Sequence, residues 1–171
     1  MKPEERRNEI LMRLKKADGP TSASSLAREL DVSRQIIVGD VAILRAEGEQ
    51  IMATPRGYVL GGDITGDYGY VGTVAVQHGP ERTVEELYTI VDCGGTAIDV
   101  TIDHPVYGQL SGPLALSSRL DVDRFAKKVQ GNPSFLLSDL TDGIHTHRIG
   151  CRDEKTFREI RSQLEEKGFI L

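Results

Sequence analysis

The chain has 171 residues, 39% of them apolar and 27% charged, the composition of a globular protein with one domain or two small ones. No apolar run approaches the roughly 20 residues of a membrane-spanning helix. The charged start MKPEERRNEIL lacks the apolar stretch of a secretory signal, and the two distant cysteines, Cys93 and Cys151, fit a reducing cytoplasm rather than a disulfide scaffold. The net charge of -5 has the wrong sign for a DNA binder, but it is unevenly spread: residues 1–60 hold 10 Lys/Arg against 9 Asp/Glu, and residues 61–171 hold 11 against 17. Charge alone therefore decides nothing about DNA, and the pattern must carry that reading.

From Arg6 to Lys16, apolar Ile10, Leu11 and Leu14 recur among charges, which predicts an amphipathic first helix. Asp18-Gly19-Pro20 is expected to end it, with Gly19 as a left-handed stop. Thr21 or Ser22 caps a second helix with Leu26, Ala27 and Leu30 inward. Asp31-Val32-Ser33 is a corner, and Ser33 caps a third helix running to about Glu47, its inner row Ile37, Val41 and Leu44. Gly48 stops it. Ile51-Met52-Ala53 and Tyr58-Val59-Leu60 flank Thr54-Pro55-Arg56-Gly57 and predict a hairpin. Two helices meeting at a tight corner, followed by a hairpin, are the layout of a winged helix-turn-helix.

We place this domain at residues 1–61, a glycine-rich linker at 62–70 and a second domain at 71–171. In the second domain Val71–Gln77 reads as a strand, Val84–Val91 as a helix, and Ala97–Ile102 and Tyr107–Leu116 as paired strands. Asp121–Val129 reads as a helix, Ser134–Leu137 and Gly143–Gly150 as strands, and Thr156–Lys167 as a last helix. The alternation predicts an α+β fold, with the second domain an α/β sandwich of the ferredoxin-like or a related kind.

The early, outward residues of a recognition helix meet base edges. Here they are Ser33, Arg34, Gln35 and Val38; Arg pairs bidentately with guanine and Gln with adenine. Gly39 beside them would permit a close approach by a backbone or a neighbouring helix. Arg56 at the hairpin tip reaches for a phosphate or the minor groove. A helix-turn-helix alone also fits a packing module, and it is the hairpin that favours DNA.

All four histidines lie in the second domain. His145 and His147 stand at i, i+2 in GIHTHRIG, so on a strand both leave one face. His78 follows a strand, and Glu85 and Glu86 lie on the next helix. Three imidazoles and one carboxylate suit a divalent transition metal such as nickel or zinc. Spacing alone leaves a bland reading open, because a His-x-His pair is more often an ordinary strand feature. Cys151 is a weaker candidate ligand, and Tyr58, Tyr68 and Tyr70 are read as packing between the domains.

The N-terminal stretch resembles the winged helix of the biotin-repressor type, through Ser33-Arg34-Gln35, Ala42-Ile43-Leu44-Arg45-Ala46-Glu47-Gly48 and Thr54-Pro55-Arg56-Gly57-Tyr58. The remainder is too short for an attached biotin ligase and lacks that enzyme's Gly/Arg-rich loop. The second domain looks like the three-histidine domain. The whole chain, through SRQIIVGDVAILRAEG, ATPRGYVL, ERTVEELYTIVDCGG, DHPVYGQL and DGIHTHRIG, resembles niacin-responsive repressors of NAD biosynthesis and niacin uptake. The resemblance implies a dimeric, non-enzymatic repressor of operator DNA with nicotinic acid or nicotinamide as co-repressor. It also implies a bound divalent transition metal on His78, Glu86, His145 and His147, with Glu85 as the alternative carboxylate. Arg82 and Arg148 are candidates for the effector pocket, and His104 for the pocket or a structural role. Two other readings stand beside it: a repressor that senses the metal itself, and a metal-dependent hydrolase with an accessory DNA-binding domain.

Overall fold

A computed structural model describes residues 1–61 and 68–171. The chain divides into two compact units, Met1–Asp63 and Ile64–Leu171. Most of the expected linker, residues 62–67, lies outside the described residues.

The first unit has helices α1 (Pro3–Lys16), α2 (Ala23–Glu29) and α3 (Arg34–Ala46), then strands β1 (Ile51–Thr54) and β2 (Gly57–Leu60). Pro3 opens α1, Glu4 and Glu5 sit in its first turn, and Arg13, Lys15 and Lys16 sit in its last; each charge complements the helix dipole. Gly19 is not the stop the sequence suggested. The helix ends at Ala17 in an extended conformation, and Gly19 has no positive φ. Ser22 caps α2 and Ser33 caps α3, their side chains accepting from the amides of Ser25 and Ile36. Asp31 takes the left-handed conformation at the corner, and Gly48 takes it after α3.

Ile10, Leu14, Leu26, Leu30, Ile37, Val41 and Leu44 close one core, which Ile51 and Tyr58 of the hairpin complete. Into it α3 also turns Asp40, which accepts a two-pronged ion pair from Arg6 of α1. Thr21 exchanges backbone hydrogen bonds with Tyr58 at 3.0 and 2.8 Å, adding a third, one-residue strand to the wing. Gly57 permits this approach: its φ is 137°, and a Cβ there would lie 2.5 Å from the Thr21 carbonyl carbon.

The second unit runs β3 (Tyr70–Gln77), α4 (Thr83–Asp92), β4 (Thr96–His104), β5 (Gly108–Leu116), α5 (Arg119–Val129), β6 (Ile144–Cys151) and α6 (Glu154–Glu166). This order includes the β-α-β-β-α-β plan. The strands form one antiparallel sheet in the order β3-β6-β4-β5, so β6 is inserted between β3 and β4. The fold is thus an α+β sandwich as the alternation of elements implied. Val74, Val76, Ala97, Leu116 and Ile149 of the sheet pack with Leu87 and Ile90 of α4, Val122 of α5, and Phe157, Ile160 and Leu164 of α6. Beyond α6, Phe169 and Leu171 hydrogen-bond to the outer edge of β3.

Ser134–Leu137, read as a strand, is instead covered by two short 3₁₀ turns, Pro133–Phe135 and Leu137–Thr141. A four-residue apolar run has no period that separates strand from turn, and Phe135 in it is exposed. The tyrosines near the linker have partners inside their own units: Tyr58 in the first core, Tyr70 against Phe157 and Tyr68 over Gly150. No helix among the described residues is long and apolar enough to cross a membrane.

Candidate metal centre and nucleic-acid interface

Strand periodicity places the histidines. Val74 pairs with His147 and Val76 with His145 across the β3–β6 ladder, so both imidazoles enter the layer that faces the helices. His78 continues the parity of Val74 and Val76, two residues past the latter. Glu86 comes down from α4 on the face that also carries Leu87 and Ile90. All four are buried: Glu86 is 1% exposed, His145 and His147 4%, and His78 8%.

The four side chains converge. His78 Nε2 touches Glu86 Oε2. His145 Nε2 lies 3.3 Å from the same oxygen, and His147 Nε2 lies 2.6 Å from Oε1. Candidate ligand atoms of His78, Glu86 and His145 all fall within 4.8 Å of one another; His147 stands on the far oxygen of the carboxylate. Glu85, the alternative carboxylate, faces outward and pairs with Arg82.

Each imidazole is held from behind. Nδ1 of His78 meets the Gly79 carbonyl at 2.8 Å, Nδ1 of His145 the Gly143 carbonyl at 2.8 Å, and Nδ1 of His147 the Asp99 carbonyl at 2.7 Å. A carbonyl only accepts, so all three Nδ1 atoms carry the proton and donate it. In the neutral ring Nε2 is then a lone pair, and three lone pairs aim at one carboxylate. Such a set needs a cation, either protons or a metal. Oε1 of Glu86 is buried without a hydrogen bond of acceptable geometry, although His147 Nε2 is close to it. The donor set and this orphaned oxygen fit a divalent transition metal.

Electrostatics within the group agree. Burial works against the charge on Glu86, but His147 and His145 outweigh it and hold the carboxyl well below the usual range. Burial likewise opposes a proton on His147, and the facing Glu86 carboxylate overrides it and raises the imidazole. Gly143 serves two histidines: its carbonyl also receives the His78 amide at 3.4 Å. Its φ is 85°, and a Cβ there would lie 2.2 Å from the His78 carbonyl oxygen.

The other sequence candidates are elsewhere. Nδ1 of His104 accepts from the amides of Val106 and Tyr107 at 3.1 and 3.2 Å, so this ring ties the β4–β5 turn. Arg82 donates to Glu85 and to the Lys167 carbonyl, with its guanidinium over the Phe169 ring. Arg148 pairs with Asp99. A cavity of about 310 Å³ reaches His145 and is lined also by Ala75, Thr101, Asp103, Gln109 and Thr146; none of His104, Arg82 and Arg148 lines it. Cys151 is buried at the other end of β6, its thiol raised by burial and directed at the Asp153 carbonyl.

In the first unit Ser33, Arg34 and Gln35 are exposed at the start of α3, and Val38 is half-buried. The Ser33 hydroxyl is occupied by its capping bond to the Ile36 amide. Arg56 is exposed at the hairpin tip. A Cβ on the exposed Gly39 would meet nothing within 4 Å, so no neighbour within the chain calls for a glycine there. Two residues escaped the sequence reading. Arg45 donates to the Ile51 carbonyl at 2.7 Å and fastens α3 to the wing. Asp40 stood in plain view as an acid next to Val41 on the inward row, the pattern of a buried ion pair.

The comparisons agree with this two-part layout. A family model described as an HTH domain matches residues 6–59, and one described as a 3H domain matches residues 71–171. The protein named "Probable transcription repressor NiaR" of Thermotoga maritima is 42% identical over 98% of this chain and 94% of its own length. "Transcription repressor NadR" of Bacillus subtilis is 40% identical over 97% of this chain and 93% of its own. Both relatives are named as transcription repressors, the first as a probable one, and neither as an enzyme, which sets the hydrolase reading aside. Matched nearly end to end, the chain belongs to the NiaR and NadR family of transcription repressors, in which a DNA-binding helix-turn-helix precedes a 3H domain.

Proposed function

We propose that the chain is a niacin-responsive repressor. It acts as a homodimer on operator DNA of NAD-biosynthesis and niacin-transport genes, with nicotinic acid or nicotinamide as co-repressor. The sensor is the second unit, where His78, Glu86, His145 and His147 hold a divalent transition metal, nickel or zinc. The single observation that carries the reading is the convergence of three Nδ1-tethered imidazoles on the Glu86 carboxylate in a chain of this repressor family.

A bound ion would supply a fixed positive charge and an open position for a carboxylate or a pyridine nitrogen. The chain's own part is to keep the imidazoles in one tautomer and to exclude bulk water by burial. A cavity of about 310 Å³ that His145 helps to line falls at the small end of ligand pockets, but Ala75 and Thr146 in its wall alternate with Val74, Val76, His145 and His147, so it opens on the sheet face opposite the imidazoles. On DNA, Arg34, Gln35 and Val38 read base edges, Ser33 and the start of α3 meet a phosphate, and Arg56 reaches the backbone or minor groove. Two recognition helices about 34 Å apart would fit successive half-sites, and the effector would act by favouring that spacing over others.

The test is binding of the chain to the promoter region of its own NAD or niacin-transport genes, with and without nicotinic acid, in metal-replete and chelated buffer. A niacin-dependent gain that disappears on chelation is the expected result. A gain indifferent to chelation would remove the metal from the sensor. One observation favours a second reading, a repressor that senses the metal alone: Arg82, Arg148 and His104 all have partners within the chain. Binding that follows metal and ignores niacin would select it.

A further inference from the structure

The geometry points to Asp99 as the residue that positions His147, an inference that rests on the metal reading above. Between Ala97↔Ile149 and Thr101↔Thr146, strand β4 carries Ile98, Asp99 and Val100 where β6 has only His147 and Arg148. This is a bulge: one extra residue breaks the backbone ladder and leaves amides and carbonyls there without regular partners. Asp99 replaces what is lost. Its Oδ1 accepts from the Arg148 amide at 3.2 Å, in place of a ladder carbonyl. Its Oδ2 accepts from Arg148 Nε at 2.7 Å. The Asp99 carbonyl, released from the ladder, turns to His147 Nδ1 at 2.7 Å.

One residue thus holds β6 with its side chain and, with its backbone, sets the tautomer and the ring plane of the neighbouring histidine. Asp99 is 7% exposed, so water does not substitute readily for these bonds. Of the three imidazole tethers, this alone comes from another strand: Gly79 adjoins His78, and Gly143 lies two residues before His145. His147 is also the member that reaches the site through the far oxygen of Glu86. Its ring therefore depends most on a support that β6 does not provide.

The full chain is titrated with nickel(II), and with cobalt(II) as a spectroscopic probe, as unsubstituted protein, Asp99→Ala, Asp99→Asn and His147→Ala. Asp99→Ala is expected to weaken metal about 10- to 100-fold at unchanged stoichiometry, the usual effect of losing a residue that orients a ligand, and to change the cobalt ligand-field spectrum. Asp99→Asn retains an acceptor for the Arg148 amide and stays close to the unsubstituted chain. An Asp99→Ala chain that folds and binds nickel as tightly as the parent overturns the inference. So does Asp99→Asn that loses as much affinity as His147→Ala. Independently of metal and of substitution, a slowly exchanging Nδ1 proton on His147 is expected by NMR in the unsubstituted chain, and its absence also overturns the inference. If the unsubstituted chain shows that proton but binds no metal, the metal reading fails while the tether stands.

Discussion

The two units place the residues proposed to work in opposite ways, on the surface in the first and within the core in the second. In the first, Arg34, Gln35 and Arg56 are exposed, and the core beneath them is aliphatic apart from Asp40 and Tyr58. In the second, Glu86, His78, His145 and His147 are themselves core residues. The first arrangement would separate function from stability, since an exposed side chain proposed to face DNA can be removed without opening a cavity. The second ties them together, because four polar groups buried against one another stay satisfied only when a cation is among them.

The sharpest way to break this contrast is to remove the cation. Loading the second unit with metal at a thousandfold excess over Kd should stabilise it by about 4 kcal/mol, and chelation should reverse this while leaving the unfolding of the first unit unmoved. Calorimetry with and without chelator checks it, and Glu86→Ala should erase the difference. Next in size is Asp40→Ala. It leaves Arg6 without its buried partner and should cost the first unit about 3 kcal/mol, measured by denaturant titration, with metal affinity unchanged. A loss of metal in that variant would show that the units are not energetically separate. Arg34→Ala should cost about 1–3 kcal/mol of discrimination at one base step with little change in stability; equal weakening on every operator variant would deny it a base-reading role. The smallest effect is expected from Arg56→Ala, which should lower the salt dependence of DNA affinity by about one phosphate contact.

The same contrast governs what could be read from the sequence. In the first unit the inward rows of α2 and α3, the Ser33 cap and the hairpin follow from periodicity and turn residues alone. The error at Gly19 is a cap assigned by residue type where the chain took an extended exit. In the second unit period-2 parity was enough to put His145 and His147 on one face. The distance between His78, Glu86 and that face was not legible, since it depends on β6 being inserted beside β3. Glu85 and Glu86 were indistinguishable until the rotation of α4 sent one to solvent and one inward. The β4 bulge left no trace in the sequence, and Asp99 with it: a single acid in a strand gives no sign that its carbonyl will face a ring on the neighbouring strand. His104 stood apart from the other three histidines as a pocket or structural residue, and its turn-tying role emerged only with the β4–β5 pairing.

The carbonyl of Gly143 has a kinetic consequence. Because it receives both the His78 amide and the His145 ring proton, two arms of the cluster are registered to a single peptide unit before any ion arrives. The search for a mutual arrangement is completed when the chain folds, so on the proposed metal reading ion capture would be set by entry and by exchange of protons for metal rather than by assembly of the arms. Glycine is what makes this hub possible, since its φ of 85° and the 2.2 Å approach to the His78 carbonyl leave no room for a side chain. A substitution there would therefore slow uptake by loosening two arms at once, without altering one donor atom.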